Sequence, residues 1–90
     1  MSLLCQVFRA SHKPEMYLYV DKARGLQDVP ETLLAQFGVA APVMLLHLTP
    51  QYKLARADAA IVLASIAAQG FYLQMPPAAA ELIAREDARG

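Results

Sequence analysis

Three short segments of the chain have the apolar pattern of β-strands, and residues 16–20 alternate clearly between two faces. Leu3–Ala10 and residues 16–20 are also rich in β-branched and aromatic side chains, which is typical of strands. The polar connection between them, residues 11–15, contains a proline and predicts a turn, so these two strands form an antiparallel hairpin. The third segment, residues 71–75, stops at two consecutive prolines, which lack the N–H group that a sheet ladder needs.

A further segment, residues 42–48 with the sequence PVMLLHL, is apolar at odd and even positions alike. A strand with two apolar faces is typical of the middle of a sheet, where other elements cover it on both sides. The pattern therefore predicts a central strand.

Helical periodicity appears first in residues 29–38, VPETLLAQFG. Pro30 suits the first turn of a helix, and Gly38 suits the left-handed position just after its end. The spacing predicts one buried face, formed by Leu33, Leu34 and Phe37.

A second helix is predicted over residues 58–69, with Asp58 as a candidate N-cap and Gly70 at its end. Nearly all of its residues are alanine, isoleucine, valine or leucine, so we expect most of its circumference to be covered. Pro77 can open a third helix that continues toward the end of the chain.

The resulting order of elements is ββαβαβα. It predicts the α+β class, with a single-layer sheet of three to four strands, largely antiparallel or mixed, packed with two or three helices. The chain has 90 residues and no internal repeat or linker, so residues 1–90 are expected to form a single domain.

Composition narrows the functional classes. An apolar content of 57% excludes a disordered chain, and a net charge of zero gives no overall preference for nucleic acid or anionic lipid. The longest apolar run, residues 59–68, is shorter than the roughly 18 residues of a membrane span. The start of the sequence has no secretory signal pattern, and the single Cys5 excludes an intrachain disulfide. We expect a soluble cytoplasmic protein that does not bind membranes.

Candidate catalytic groups are few. Cys5 needs an adjacent base to act as a nucleophile, and no spacing brings His12 or His47 beside it. Two histidines so far apart lack the spacing of metal ligands, and the four glycines form no phosphate-binding motif. We expect no catalytic residue, no metal and no cofactor.

The alternation also suggests a surface. Tyr17 and Tyr19 share one strand face, Tyr72 and Gln74 share one face of the last strand, and Phe8 has matching alternation in the first strand. If the apolar positions face the helices, these rings form an aromatic patch with a basic rim, as in sheets that stack single-stranded RNA. Alternatively, a helix covers this face and the tyrosines pack there with their hydroxyls at the edge.

The candidate binding surface combines these tyrosines with the basic segment KLAR that precedes the second helix. It comprises Tyr17, Tyr19, Lys53, Arg56, Tyr72 and Gln74. The leading hypothesis is a non-enzymatic interaction module that engages a protein partner, because the second helix has surplus apolar surface. An RNA-associated accessory protein that binds single-stranded RNA is the alternative, and an enzyme without a recognisable motif is the third. The oligomeric state stays open.

Four pieces in order carry a resemblance to a known family: YLYV, VPETLLAQFG, KLARAD and GFYLQMPP. Together they resemble the YcgL-domain family of small bacterial proteins, from about Cys5 to Pro77 and into the last predicted helix. The resemblance implies a compact domain of helices and strands and a bacterial, cytoplasmic origin. It implies no particular activity.

Overall fold

The structure is a computed structural model that describes residues 2–13, 15–54 and 57–75. These residues form four strands and two helices: β1 (Leu3–Ala10), β2 (Tyr17–Asp21), α1 (Glu31–Phe37), β3 (Ala40–Leu48), α2 (Ala59–Gln69) and β4 (Phe71–Gln74). The α+β class is confirmed. The third helix predicted from Pro77 lies outside the described residues.

The four strands form one antiparallel sheet in the order β3-β1-β2-β4. The predicted N-terminal hairpin is confirmed, since β1 and β2 pair from Arg9 opposite Tyr17 to Cys5 opposite Asp21. β4 then adds to the free side of β2, with Tyr19 opposite Tyr72.

The prediction that β3 is a central strand is wrong, because β3 pairs with β1 alone and forms an edge of the sheet. Val43, Met44 and Leu45 are 41%, 51% and 47% exposed. The apolar residues on both faces of this strand are therefore not explained by elements packed against both faces. Pro42 is the local signal for an edge strand, since a proline has no N–H to donate to a neighbouring strand and is rare in the middle of a sheet. The register shift between Val7 and Phe8 in β1 leaves Val43 as the extra residue of a bulge.

The two helices pack on opposite faces of the sheet, which we call the α1 side and the α2 side. Because successive strand residues point to opposite faces, β1 and β2 supply residues to both cores. The α2 side buries Cys5, Val7, Tyr19, Leu48, Ala59, Val62, Leu63 and Ile66. The α1 side buries Ala10, Met16, Leu18, Val20, Val29 and Phe37.

Helix α2 begins and ends as its sequence predicts. The Asp58 carboxylate accepts a hydrogen bond from the Ala60 N–H (2.9 Å), and Gly70 takes the left-handed conformation after the last turn. The Ser65 hydroxyl donates to the Phe71 carbonyl (2.9 Å), which ties the helix to β4. The expectation that most of its circumference is covered is wrong: Ile61 is 58% exposed, and the other exposed apolar residues of the helix are alanines, which have little apolar surface to bury. Neither helix in the described ranges is long and apolar enough to cross a membrane.

Candidate binding groove

The sheet register brings the predicted tyrosines together on the α2 side. Tyr19 lies opposite Tyr72, and Tyr17 lies opposite Gln74. The rings of Tyr19 and Tyr72 meet edge to face, with centroids 5.8 Å apart and planes at 72°. The Tyr19 hydroxyl donates a hydrogen bond to Gln74 Oε1 (3.0 Å), which links two strands through their side chains.

Helix α2 covers part of this face, so the tyrosines are not an open aromatic platform. Tyr19 is only 7% exposed, and Tyr17 and Tyr72 pack partly buried against the same core. Phe8 does not join them: it lies opposite Leu18 and packs on the α1 side. The reason is the hairpin register, which sets the relative faces of two strands independently of the alternation within each.

An open groove of about 390 Å³ lies on the same face of the sheet, where α2 no longer covers it, and reaches across all four strands. Val7, Met44 and Leu46 of the strands form its apolar floor, and Leu54 of the loop before α2 adds an apolar side chain to its wall. The rings of Tyr17, Tyr19 and Tyr52 and the polar groups of Glu15, Lys53 and Gln74 complete the lining.

Four residues of the predicted surface therefore meet in the groove: Tyr17, Tyr19, Lys53 and Gln74. Tyr72 lies on the same face, next to Tyr19, and packs into the α2-side core. Arg56 lies outside the described residues.

The loop between β3 and α2 forms one wall of the groove and explains the position of Lys53. A turn closes where the Tyr52 N–H donates to the Thr49 carbonyl (3.0 Å). Lys53 then pairs with Asp58 in an isolated antiparallel bridge, so the cap of α2 also anchors the loop. Tyr52 is a groove residue that was not predicted from the sequence, although TPQYKL places this aromatic residue directly beside the predicted Lys53.

The single cysteine of the chain does not line the groove. Cys5 is fully buried beneath α2, and burial away from water raises the pKa of its thiol to about 11. A thiol held neutral in this way is a core residue, since only the thiolate is an effective nucleophile. The described residues also contain no group of three or more potential ligands that could hold a metal ion.

A second cavity, of about 460 Å³, lies at the other end of the α2 side, beside Ser2, Leu3 and the end of α2. Two of its three charged side chains pair with each other, and the third, Asp21, accepts a hydrogen bond from the Ala23 N–H (2.9 Å). Arg24 donates two hydrogen bonds to Asp28, at 2.5 and 2.9 Å, and this contact lowers the pKa of the Asp28 carboxyl. The groove is therefore the better candidate for binding.

Comparisons with known proteins agree with the family resemblance. The profile of the YcgL domain matches residues 5–77 of the chain. A YcgL domain-containing protein of Chromohalobacter salexigens is 60% identical over 75 residues, which are 83% of this chain and 78% of that protein. Relatives in Pseudomonas aeruginosa and Pseudomonas putida are 52% and 48% identical over 83 residues, which are 92% of this chain and 86% of theirs. These proteins are named for the domain and not for an activity. The chain belongs to the YcgL domain family.

Proposed function

We propose that this protein is a non-enzymatic binding module whose groove receives an apolar segment of a protein partner. The observation that supports the proposal is the uncovered apolar floor beside α2, on a face whose other end is packed as a core. The module would act in the bacterial cytoplasm, where a free buried thiol such as Cys5 stays reduced.

The size of the groove suits a short peptide segment. Four strands spaced about 4.8 Å apart give a floor about 14 Å wide. A volume of about 390 Å³ lies within the range of pockets that take small ligands or a few side chains. The exposed Met44 and the half-buried Leu46 on this floor favour apolar anchors, because burial in such a site removes the apolar surface of an anchor from water.

The polar lining of the groove indicates which peptide would fit. Lys53 and the preceding Tyr52 are both exposed and both line the groove. A peptide with an apolar anchor and a neighbouring acidic residue would meet both groups. Glu15 lines the same groove, so its charge balance does not favour a polyanion.

The alternative partner, single-stranded RNA, has less support. Stacking needs ring faces open to the solvent, but Tyr19 is buried and its hydroxyl is bound to Gln74. The Arg24 side chain is paired with Asp28 and offers less attraction to a phosphate.

The proposal is tested by selecting a phage-displayed library of random dodecapeptides on the immobilised full-length protein. Selected peptides should share an apolar residue near an acidic one. Tyr52→Ala should weaken their affinity about tenfold, because exposed aromatic residues often dominate such contacts. Ile61→Ala is the matched control, since Ile61 is exposed on the outer side of α2 and should leave the affinity unchanged. Lys53→Glu should reverse the preference for an acidic neighbour.

A labelled dodecamer of uridine, titrated at low and moderate salt, is the parallel measurement. If the protein binds it with the steep salt dependence of phosphate contacts and selects no peptide, the proposal is overturned in favour of RNA. Selected peptides that bind Tyr52→Ala as tightly as the wild type would also overturn it, because the groove would not be their site.

A further inference from the structure

We propose that two copies of this protein pair through their β3 strands, antiparallel, around a two-fold axis at Leu46. The inference does not depend on the proposed function of the groove. It starts from β3, an edge strand of nine residues with several exposed apolar side chains and no Asp, Glu, Lys or Arg.

The direction of the main-chain groups in β1 is fixed by one hydrogen bond. The Lys22 N–H donates to the Leu4 carbonyl (2.9 Å), so the main-chain groups of Leu4 point toward β2. In an antiparallel sheet, the N–H and C=O of one residue point the same way and those of the next point the opposite way. The groups of Cys5 therefore point toward β3.

The same alternation continues in β3. Cys5 lies opposite Leu46, so the main-chain groups of Leu46 point inward to β1. Those of Leu45 and His47 then point outward, to the open side of the edge strand. An outward row of N–H and C=O groups is a template for another strand.

A second copy of β3 is complementary to this row. With the two-fold axis at Leu46, Leu45 lies opposite His47 of the second copy, and His47 lies opposite the Leu45 of that copy. Each of these two equivalent pairs exchanges two main-chain hydrogen bonds, which gives four in all. Pairing between identical strands would set like charges close together if the strand were charged, and β3 carries no Asp, Glu, Lys or Arg.

The first part of β3 cannot extend the pairing. Pro42 has no N–H to donate, and the bulge at Val43 interrupts the regular alternation. Five regular residues remain, 44–48, which span about 17 Å. An interface of this length falls below the size of stable complexes, about 1,200 Å², so we expect a weak, reversible dimer.

The other edge of the sheet is a poorer match. β4 has only four residues, and the sequence continues after Met75 with two prolines, which cannot donate to a ladder. Pairing through β3 would in addition bring the exposed Leu45 side chains of the two copies close together, because they lie diagonally across the axis on one face of the sheet.

The first test is sedimentation velocity of the full chain over a concentration range from about 20 µM to 1 mM, a span suited to weak complexes. The weight-average mass should rise from monomer toward dimer. Leu45→Lys should weaken dimerisation at least tenfold, because it places two added charges near the axis. Ile61→Lys is the matched control: it adds the same charge at an exposed apolar position of α2 and should dimerise like the wild type. A monomer at every concentration would overturn the proposal.

The second test is amide hydrogen exchange of the wild-type protein at low and high concentration. The outward amides of Leu45 and His47 should exchange rapidly when dilute and at least threefold more slowly when concentrated. Slow exchange at every concentration would mean that another segment of the same chain pairs with β3. Rapid exchange at every concentration would mean that the edge stays open. Either result would overturn the proposal.

Discussion

At the scale of single residues, Tyr19 combines ring packing with a side-chain hydrogen bond. Its hydroxyl donates to Gln74 Oε1 (3.0 Å) while its ring packs against Tyr72. Tyr19→Phe keeps the ring and removes the hydrogen bond, so the free energy of unfolding should fall by about 1 kcal/mol. Urea denaturation measures the change. Tyr52→Phe, at an exposed ring, is the control and should change stability by less than about 0.5 kcal/mol; an equal loss in both variants would contradict the role of this bond.

Cys5 should make the stability depend on pH in the alkaline range. Burial raises the pKa of its thiol from an ordinary value of 9.0 to about 11, and the carboxylate of Asp21 adds to the rise. Between these values the thiol ionises in the unfolded chain but not in the folded one. The free energy of unfolding therefore declines as the pH rises from about 9 to about 11.

Cys5→Ala removes this titration and isolates its contribution. Urea denaturation of both proteins at several pH values should show wild-type stability falling more steeply than that of Cys5→Ala. All other ionisable groups are common to both proteins, so their effects cancel in the comparison. Parallel curves would mean that the thiol ionises in the fold as easily as in water.

The sequence predicts which residues of one strand share a sheet face more reliably than which residues of two different strands do. Tyr17 and Tyr19 share a face because they are two residues apart, and this follows from strand geometry alone. Phe8 was placed wrongly because its face relative to theirs depends on the hairpin register, which puts it opposite Leu18. The turn that sets this register leaves no reliable signal in the alternation of either strand.

At the scale of elements, Asp58 determines where α2 begins. Its carboxylate accepts from the Ala60 N–H (2.9 Å), and its main chain pairs with Lys53 in the groove wall. Asp58→Ala should lower the free energy of unfolding by about 1 kcal/mol, as the loss of an N-cap usually does. Thermal denaturation followed by circular dichroism measures it. Asp58→Asn is the matched control and should keep most of the stability, since an asparagine oxygen can accept the same bond; a loss as large as that of alanine would assign the effect to charge.

Gly70 is required at the junction of α2 and β4 for two reasons. Its φ is +91°, a conformation that other residues rarely adopt, and an added Cβ would overlap the Asp28 side chain. Gly25 also has a positive φ, +61°, but an added Cβ there would meet open space. Gly70→Ala should therefore destabilise the protein by at least about 2 kcal/mol and Gly25→Ala by about 1 kcal/mol, as measured by urea denaturation. Equal losses would show that the contact with Asp28 relaxes freely.

The positions of the helices and strands could be predicted from the sequence, but the elements that pack against each of their faces could not. The cap and end of α2 are local signals, and the structure has them at Asp58 and Gly70. The pattern of β3 is compatible with either a doubly covered strand or an exposed edge, because periodicity does not record what lies against a face. Pro42 was the residue that favoured the edge.

At the scale of the whole molecule, the groove depends on how much of the sheet face α2 covers. The helix covers the α2 side near Leu48 and Tyr72 and leaves the floor open near Met44 and Gln74. No single segment contains that information, because the floor comes from four strands and the wall from the loop ahead of α2. The sequence could therefore nominate Tyr17 and Lys53, but it could not show that a shared groove joins them.

The two cores should unfold as one unit, because β1 and β2 contribute alternate residues to both. Phe37 is fully buried on the α1 side, whereas all four tyrosines pack on or line the α2 side. Phe37→Leu should lower the free energy of unfolding by about 1–2 kcal/mol. In urea, tyrosine fluorescence and far-ultraviolet circular dichroism should shift together, since losing one face removes the strands that form the other.

Ile61→Ala, at an exposed position, is the control for Phe37→Leu and should leave both transitions nearly in place. The result that would contradict this prediction is a difference between the urea transitions recorded by tyrosine fluorescence and by circular dichroism. If Phe37→Leu shifted the circular dichroism transition and left tyrosine fluorescence unchanged, the α2 side would hold its structure without the α1 side. The groove would then be stabilised by α2, the loop before it and the strands beneath them, without any contribution from the α1 side.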